Sequence, residues 1–205
     1  MVLIGVRRKM YSDDRKKKIV KAIIFDCFGV FYLDAHSSLV ENFPSHQEEL
    51  GNLRRQADYG FLDRAGYIDT IARLTSASHE ELERIILHEH QINKPLIEYI
   101  STELKPYYKI GLLSNIGRGW IQNFFDEQQL HGLFDAVVLS GDEGITKPHP
   151  QIYELMAEKL FVQPEECIMI DDLPENAAGA DAAGMEGIVY GNLRDLKREL
   201  SGLLK

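Results

Sequence analysis

Short apolar runs closed by polar residues recur along this chain, and between them hydrophobic positions return every three or four residues. Ala22-Ile-Ile-Phe25 is in part β-branched and is bounded by Asp26 and Gly29. That length and closure predict a buried strand rather than a helix. Tyr108 to Leu113, Asp135-Ala-Val-Val-Leu139, Cys167 to Ile170 and Gly187 to Tyr190 have the same form. From residue 94 onward helical spacing fills the gaps. Trp120, Phe124 and Phe125 mark one helix, Ile152, Leu155, Met156 and Leu160 a second, and Ala177 to Ala183 a third. Leu193, Leu196, Leu200 and Leu203 form the core-facing stripe of the last. Strands alternating with helices predict an α/β fold: a Rossmann-like parallel sheet with right-handed crossovers and helices on both faces.

Between Asp34 and about Lys94 the pattern changes, and no strand is predicted. Glu48 to Ala57 and Tyr67 to Leu74 have helical spacing, and Ser78-His-Glu-Glu81 has the form of a capping box opening a helix through Ile85, Ile86 and Leu87. The chain is thus expected to divide into an N-terminal extension (1–20), an α/β core (21–34 and 94–205) and an all-helical insert (35–93). At 205 residues and 44% hydrophobic, it is long enough for one such domain plus a small insertion.

The strand ends carry the candidate chemistry. Asp26 follows the first strand, Ser114 and Asn115 end the segment beginning at Lys109, and Asp171-Asp172 end the run from Cys167. In a parallel sheet these carboxyl ends share one edge, where α/β folds bind ligands. Lys147-Pro148 adds a loop cation before a helix opened by Pro150. Plainer roles exist for each: Asp26 can cap the following turn, and one acid of Asp171-Asp172 can serve the helix near Pro174. Two adjacent acids exceed that need. Carboxylates about 4 Å apart repel by roughly 1 to 4 kcal/mol, so Asp26, Asp171 and Asp172 in one pocket require a cation. An all-oxygen set suits a hard ion such as Mg²⁺.

These segments resemble the haloacid dehalogenase superfamily of phosphatases and dehalogenases. Asp26 with Gly29-Val30 is similar to its first motif, Ser114 to its second and Lys147-Pro148 to its third. Asp171-Asp172 with Asn176, Gly179-Ala180 and Gly184-Met185 is similar to its fourth. The resemblance spans about residues 21 to 190. It implies a central Asp26 strand, between those ending at Ser114 and Asp171, and a cap made by the helical insert. It also implies that Asp26 is a covalent nucleophile, and that Ser114, the Asn115 backbone and Lys147 bind the phosphoryl group. Mg²⁺ would be held by Asp26, the Phe28 backbone carbonyl and Asp172, with Asp171 acting directly or through water. Substrate-specific side chains would come from cap residues such as Arg54, Arg55, Tyr59 and Arg64.

One position departs from the phosphatase pattern. Those enzymes usually carry a second Asp two residues after the nucleophile, as general acid and base; this chain has Phe28. Hydrolytic dehalogenases place an aromatic residue there, because halide leaves without a proton, and His36-Ser37 adds to that similarity. The Asp171-Asp172 pair argues the other way, since dehalogenases need no metal. The expectation is a Mg²⁺-dependent phosphatase of small phosphate monoesters. A 2-haloacid dehalogenase and a noncatalytic phosphate-binding homologue are the alternatives.

Charge narrows the partners. The formal net charge is −9 and basic residues form no stripe, which argues against a nucleic-acid partner. Arg7-Arg-Lys9 and Arg15-Lys-Lys-Lys18 read as a solvated tail. No apolar run has the length to span a bilayer, and Val2-Leu-Ile-Gly-Val6 precedes its charges, the reverse of a secretory signal. Cys27 and Cys167 have neither disulfide nor metal spacing and read as core residues under reducing conditions. The expected location is the cytoplasm.

Overall fold

The computed structural model describes residues 19–33, 38–87 and 91–204. Strand β1 (Ala22–Phe25) is buried along its whole length and leads to a two-residue strand β2 (Tyr32–Leu33). Helices α1 (Ser38–Asn42), α2 (Gln47–Asp58), α3 (Arg64–Thr75) and α4 (His79–Leu87) follow. Strand β3 (Gln91–Ile92) and helix α5 (Lys94–Tyr99) then return the chain to the sheet. From there β4 (Lys109–Ser114), α6 (Glu127–Leu133), β5 (Ala136–Leu139), α7 (Ser140–Glu143) and α8 (Pro150–Lys159) succeed one another. The chain closes with β6 (Cys167–Asp171), α9 (Pro174–Ala182), β7 (Glu186–Val189) and α10 (Leu193–Leu203).

The main sheet runs β5-β4-β1-β6-β7 with every pairing parallel. β1 is central, between the strands that end at Ser114 and Asp171, as the resemblance implies. Register is what builds the site. Phe25 lies opposite Leu112 on one side and Ile170 on the other, so the next residues of three strands emerge at one edge. Alternate side chains of β1 enter opposite faces. Ile23 and Phe25 pack with Leu96, Leu196 and Leu200; Ala22 and Ile24 pack with Ile152, Tyr153 and Met156. Helices therefore cover both faces, which suits a sheet of near-continuous apolar strands.

Two expectations need correction. Trp120, Phe124 and Phe125 do not mark a regular helix; they lie in and around a 3₁₀ turn at Ile121–Asn123, and α6 starts after the Asp126 cap. Their burial, which resembles helical spacing, comes from packing on an irregular loop. The stretch between Asp34 and Lys94 is not free of strand, because β3 pairs antiparallel with β2, Tyr32 opposite Ile92. Two residues are too few to show a period. In α8 the expected spacing holds: Leu155 packs against the core beside Ile152, Met156 and Leu160, and Tyr153 is also fully buried there.

The insert is otherwise helical, and Ser78 Oγ accepts from the Glu81 N–H at 3.2 Å, as its capping position predicts. Leu50, Ala57, Tyr67, Ile68, Ile71 and Leu82 join the insert to the same core as β1. Among the described residues no helix is long and apolar enough to cross a membrane. His36-Ser37 and the two basic runs lie outside the described residues.

Candidate active site

Asp26 continues β1 by one residue, its N–H donating to the Ile170 carbonyl at 2.9 Å, so the sheet itself delivers the side chain to the edge. The residue is 6% exposed. Its Oδ1 accepts from the Cys27 N–H at 2.7 Å and from Lys147 Nζ at 2.9 Å. Neither bond falls on Oδ2. Burial pushes this carboxyl up to about 7, with Lys147 pulling down and Asp171 pushing up.

Lys147 is the buried hub. Its ammonium donates to Asp26 Oδ1, to Asp171 Oδ2 at 2.6 Å and to the Leu113 carbonyl at 3.0 Å, one acceptor for each of its three protons. Burial alone would pull the lysine down, but Asp26 and Asp171 outweigh it and the net direction is up. Asp171 in turn accepts on Oδ1 from the Leu173 N–H and from Asn176 Nδ2, each at 3.0 Å. Both of its oxygens thus have donors, and Asp171 acts as the counter-charge that orients Lys147.

The loop carrying Lys147 is fixed from two sides. Asn115 exchanges hydrogen bonds with the Lys147 backbone, so its side chain positions that loop and is not offered to an anion. Behind it, α9 comes so close that a methyl group at Gly179 would stand 2.7 Å from Pro148 Cβ. Ser114 Oγ is buried and has no hydrogen-bond partner among the described residues. A buried hydroxyl in that state is costly unless something binds to it. An anionic oxygen at the mouth of the site would satisfy it.

Asp172 is the acid that remains. Half-buried, it is pushed up by burial and then by Asp171. Ligand atoms of Asp26, Asp171 and Asp172 lie within 4.8 Å of one another. Three carboxylates face one ammonium, leaving an excess of two negative charges on an all-oxygen donor set, which fits a hard divalent cation. Gly29 supports that fit: its φ is +74°, and a Cβ there would stand 2.2 Å from Asp172 Cγ. Cys27 is buried and its thiol is pushed well up by burial and by Asp26, so it is no competing nucleophile.

Phe28 packs edge-on against Phe124, ring centroids 4.9 Å apart. Together they line a cavity of about 200 Å³ between the insert and the loop after β4, along with Arg54, Asp58, Asn115 and Trp120. Of the four insert residues singled out in the sequence, Arg54 lines this cavity. Arg64 lies over the Trp120 ring and pairs with Glu83 at 2.8 Å. Arg55 is exposed and bonds to Asn52, and Tyr59 is exposed and stacks on Phe61. Asp58 escaped the sequence reading, because a lone acid at a helix end carries no motif.

Known proteins share this fold. A putative phosphatase, YhcW of Bacillus subtilis, is 26% identical over 189 residues, 85% of this chain and 84% of its own length. A HAD family enzyme of Bacteroides thetaiotaomicron, solved with magnesium and inorganic phosphate, superposes with a TM-score of 0.74 at 20% identity, covering 86% of this chain and 98% of its own. The L-2-haloacid dehalogenase of Xanthobacter autotrophicus, with chloropropionic acid covalently bound, gives a TM-score of 0.60 at 20% identity, over 90% of this chain and 83% of its own. At those identities the two structures establish the fold alone. The family model for haloacid dehalogenase-like hydrolases matches residues 20–184, most of the chain, and the protein belongs to that hydrolase family.

Proposed function

We propose that this hydrolase is a Mg²⁺-dependent phosphatase of small phosphate monoesters that works through an aspartyl-phosphate on Asp26. The observation that carries the reading is the acid pair. Asp171 is engaged by Lys147, Leu173 and Asn176, yet Asp172 stands beside Asp26 as a further carboxylate. A dehalogenase has no use for that charge. Phosphatase-named relatives support the same choice.

In this reading Asp26, the Phe28 carbonyl and Asp172 would hold Mg²⁺, with Asp171 contributing directly or through water. When bound, the ion would offset the carboxylate charge and draw a phosphate oxygen towards Asp26. Lys147 holds Oδ1 of Asp26, so Oδ2 attacks phosphorus. The Ser114 hydroxyl and the Asn115 backbone N–H bind phosphoryl oxygens, and the Lys147 charge stabilises the negative charge that builds there. The helical insert (35–93) serves as the cap that excludes water over the core (21–34 and 94–205). Two buried thiols suit a reducing compartment, and a cytoplasmic location goes with the reading.

Phe28 favours one second reading, a 2-haloacid dehalogenase. Hydrolysis of p-nitrophenyl phosphate and of 2-chloropropionate, each with Mg²⁺ and with EDTA, separates the two. The phosphatase reading expects Mg²⁺-dependent release of p-nitrophenol, abolished in Asp26→Asn. Chloride release that persists in EDTA, without phosphatase activity, would overturn it.

A further inference from the structure

With Phe28 in place of the usual acid, nothing assigned so far gives a proton to the leaving oxygen. Among the described residues lining the cavity beside Phe28, Asp58 is the only carboxylic acid. It is the last residue of α2, and its backbone is tied to the core at the edge of the candidate phosphate site. Ser140 Oγ donates to the Asp58 carbonyl at 2.6 Å and accepts from the Ile116 N–H at 3.0 Å. Ala57 lies so close to the same loop that a methyl group at Gly117 would stand 3.1 Å from the Ala57 carbonyl oxygen. The end of α2 is therefore held against Asn115–Gly117, directly after Ser114.

We propose that Asp58 is the general acid and base of the reaction, supplied from the cap where Phe28 has removed the usual one. This rests on the phosphatase reading. In the first half-reaction Asp26 Oδ2 bonds to phosphorus. The bond from phosphorus to the leaving oxygen breaks with its electron pair, and that oxygen takes the proton from Asp58. In the second half the Asp58 carboxylate accepts a proton from water as the water oxygen bonds to phosphorus. The bond from phosphorus to Asp26 then breaks, freeing inorganic phosphate and restoring both aspartates.

The surroundings suit that role. The Asp58 side chain is 18% exposed, and its ion-pair partner Arg54, one helical turn back, stands at 3.7 Å. Burial pushes the carboxyl up to about 6, against smaller pulls from Arg54 and from Lys147. Tyr67, which faces it from α3, is itself pushed up to about 12 and stays neutral. An acid near neutrality is what proton transfer in both directions requires. Leu39, Val40, Leu50 and Ile86 also line the cavity and suit a hydrocarbon leaving group.

The test compares n-butyl phosphate, whose alkoxide needs a proton, with p-nitrophenyl phosphate, whose phenolate hardly does. Asp58→Asn should lower kcat/KM on the butyl ester about 10²-fold while leaving the nitrophenyl ester within roughly threefold. Adding Phe28→Asp to Asp58→Asn should restore much of the lost activity, which a structural defect at α2 would not permit. Equal loss on both esters, or none on either, overturns the proposal. The phosphatase reading is judged separately: p-nitrophenyl phosphate hydrolysis by wild type that vanishes in Asp26→Asn upholds it whatever Asp58 does. A wild type inert on both esters overturns both.

Discussion

Asn115 and Lys147 exchange two hydrogen bonds: Asn115 Oδ1 accepts from the Lys147 N–H at 2.8 Å, and Asn115 Nδ2 donates to the Lys147 carbonyl at 3.0 Å. The amide thus closes a ring with the backbone of the loop and sets where the buried ammonium emerges. Asn115→Ala leaves both backbone groups without partners, a loss of about 1–3 kcal/mol for each group that stays dry. The expected result is a lower urea midpoint with unchanged m-value, together with weaker hydrolysis as Lys147 drifts from Asp26. An unchanged midpoint would mean that water replaces the amide without cost.

Asp172 lies over the Gly29 backbone, and no side chain fits between them. Gly29→Ala both forces a residue into φ +74° and displaces the Asp172 carboxylate. Calorimetric titration with Mg²⁺ should show binding in wild type that Gly29→Ala and Asp172→Ala each weaken by at least about tenfold, roughly 1.4 kcal/mol. Wild-type affinity in Asp172→Ala would remove it from the metal site.

The buried acids make the metal-free protein sensitive to pH. Asp26 at about 7 and Asp58 at about 6 stand above the ordinary value near 4, and Asp172 is also raised. Folding then raises proton affinity, so as pH climbs the unfolded chain releases these protons first and stability falls. The contribution is fully present below about pH 4 and lost through about pH 7. Glu166 and Asp195, held low chiefly by Lys21 and Asn192, change only below this window. In EDTA, Tm should therefore drop between about pH 5 and pH 7.5, and Asp26→Asn should flatten the drop. A Tm that rises over this range would contradict a burial cost at Asp26 that outweighs its pairing with Lys147.

Phe28→Asp restores a carboxyl where the usual phosphatase acid stands. In the Asp58→Asn background it should raise turnover on alkyl phosphates more than on p-nitrophenyl phosphate, and in wild type lower any activity on 2-chloropropionate by placing like charge beside an anion. Because the mutation strips an edge contact from Phe124, circular dichroism must first show a folded protein. A folded mutant with no gain on alkyl phosphates would mean that position 28 no longer faces the leaving group.

Residues 26, 114, 147, 171 and 172 were legible in the sequence because each sits at a strand end or beside a helix start, where local pattern and motif coincide. A buried apolar run announces its strand, and parallel strands must place their ends together, so the shared edge followed from chemistry any strand obeys. The aromatic loop at Trp120 to Phe125 misled because burial, not helical geometry, produced its spacing. Roles inside the cluster were also hidden. That Asp171 orients Lys147 while Asp172 faces Asp26, and that Asn115 turns its amide to a backbone, depends on angstrom-scale direction that no spacing encodes.

Sequence alone determined the alternation of strands and helices, the helical insert and which carboxylates and cation belong to one edge, since these depend on local periodicity and on residues adjacent in the chain. The tertiary structure decided what comes from far apart: the Tyr32–Ile92 pairing at the base of the insert, and the return of Asp58 from α2 to the loop after Ser114. Such contacts rest on chain closure and on packing between elements tens of residues apart, and a one-dimensional pattern carries no record of either.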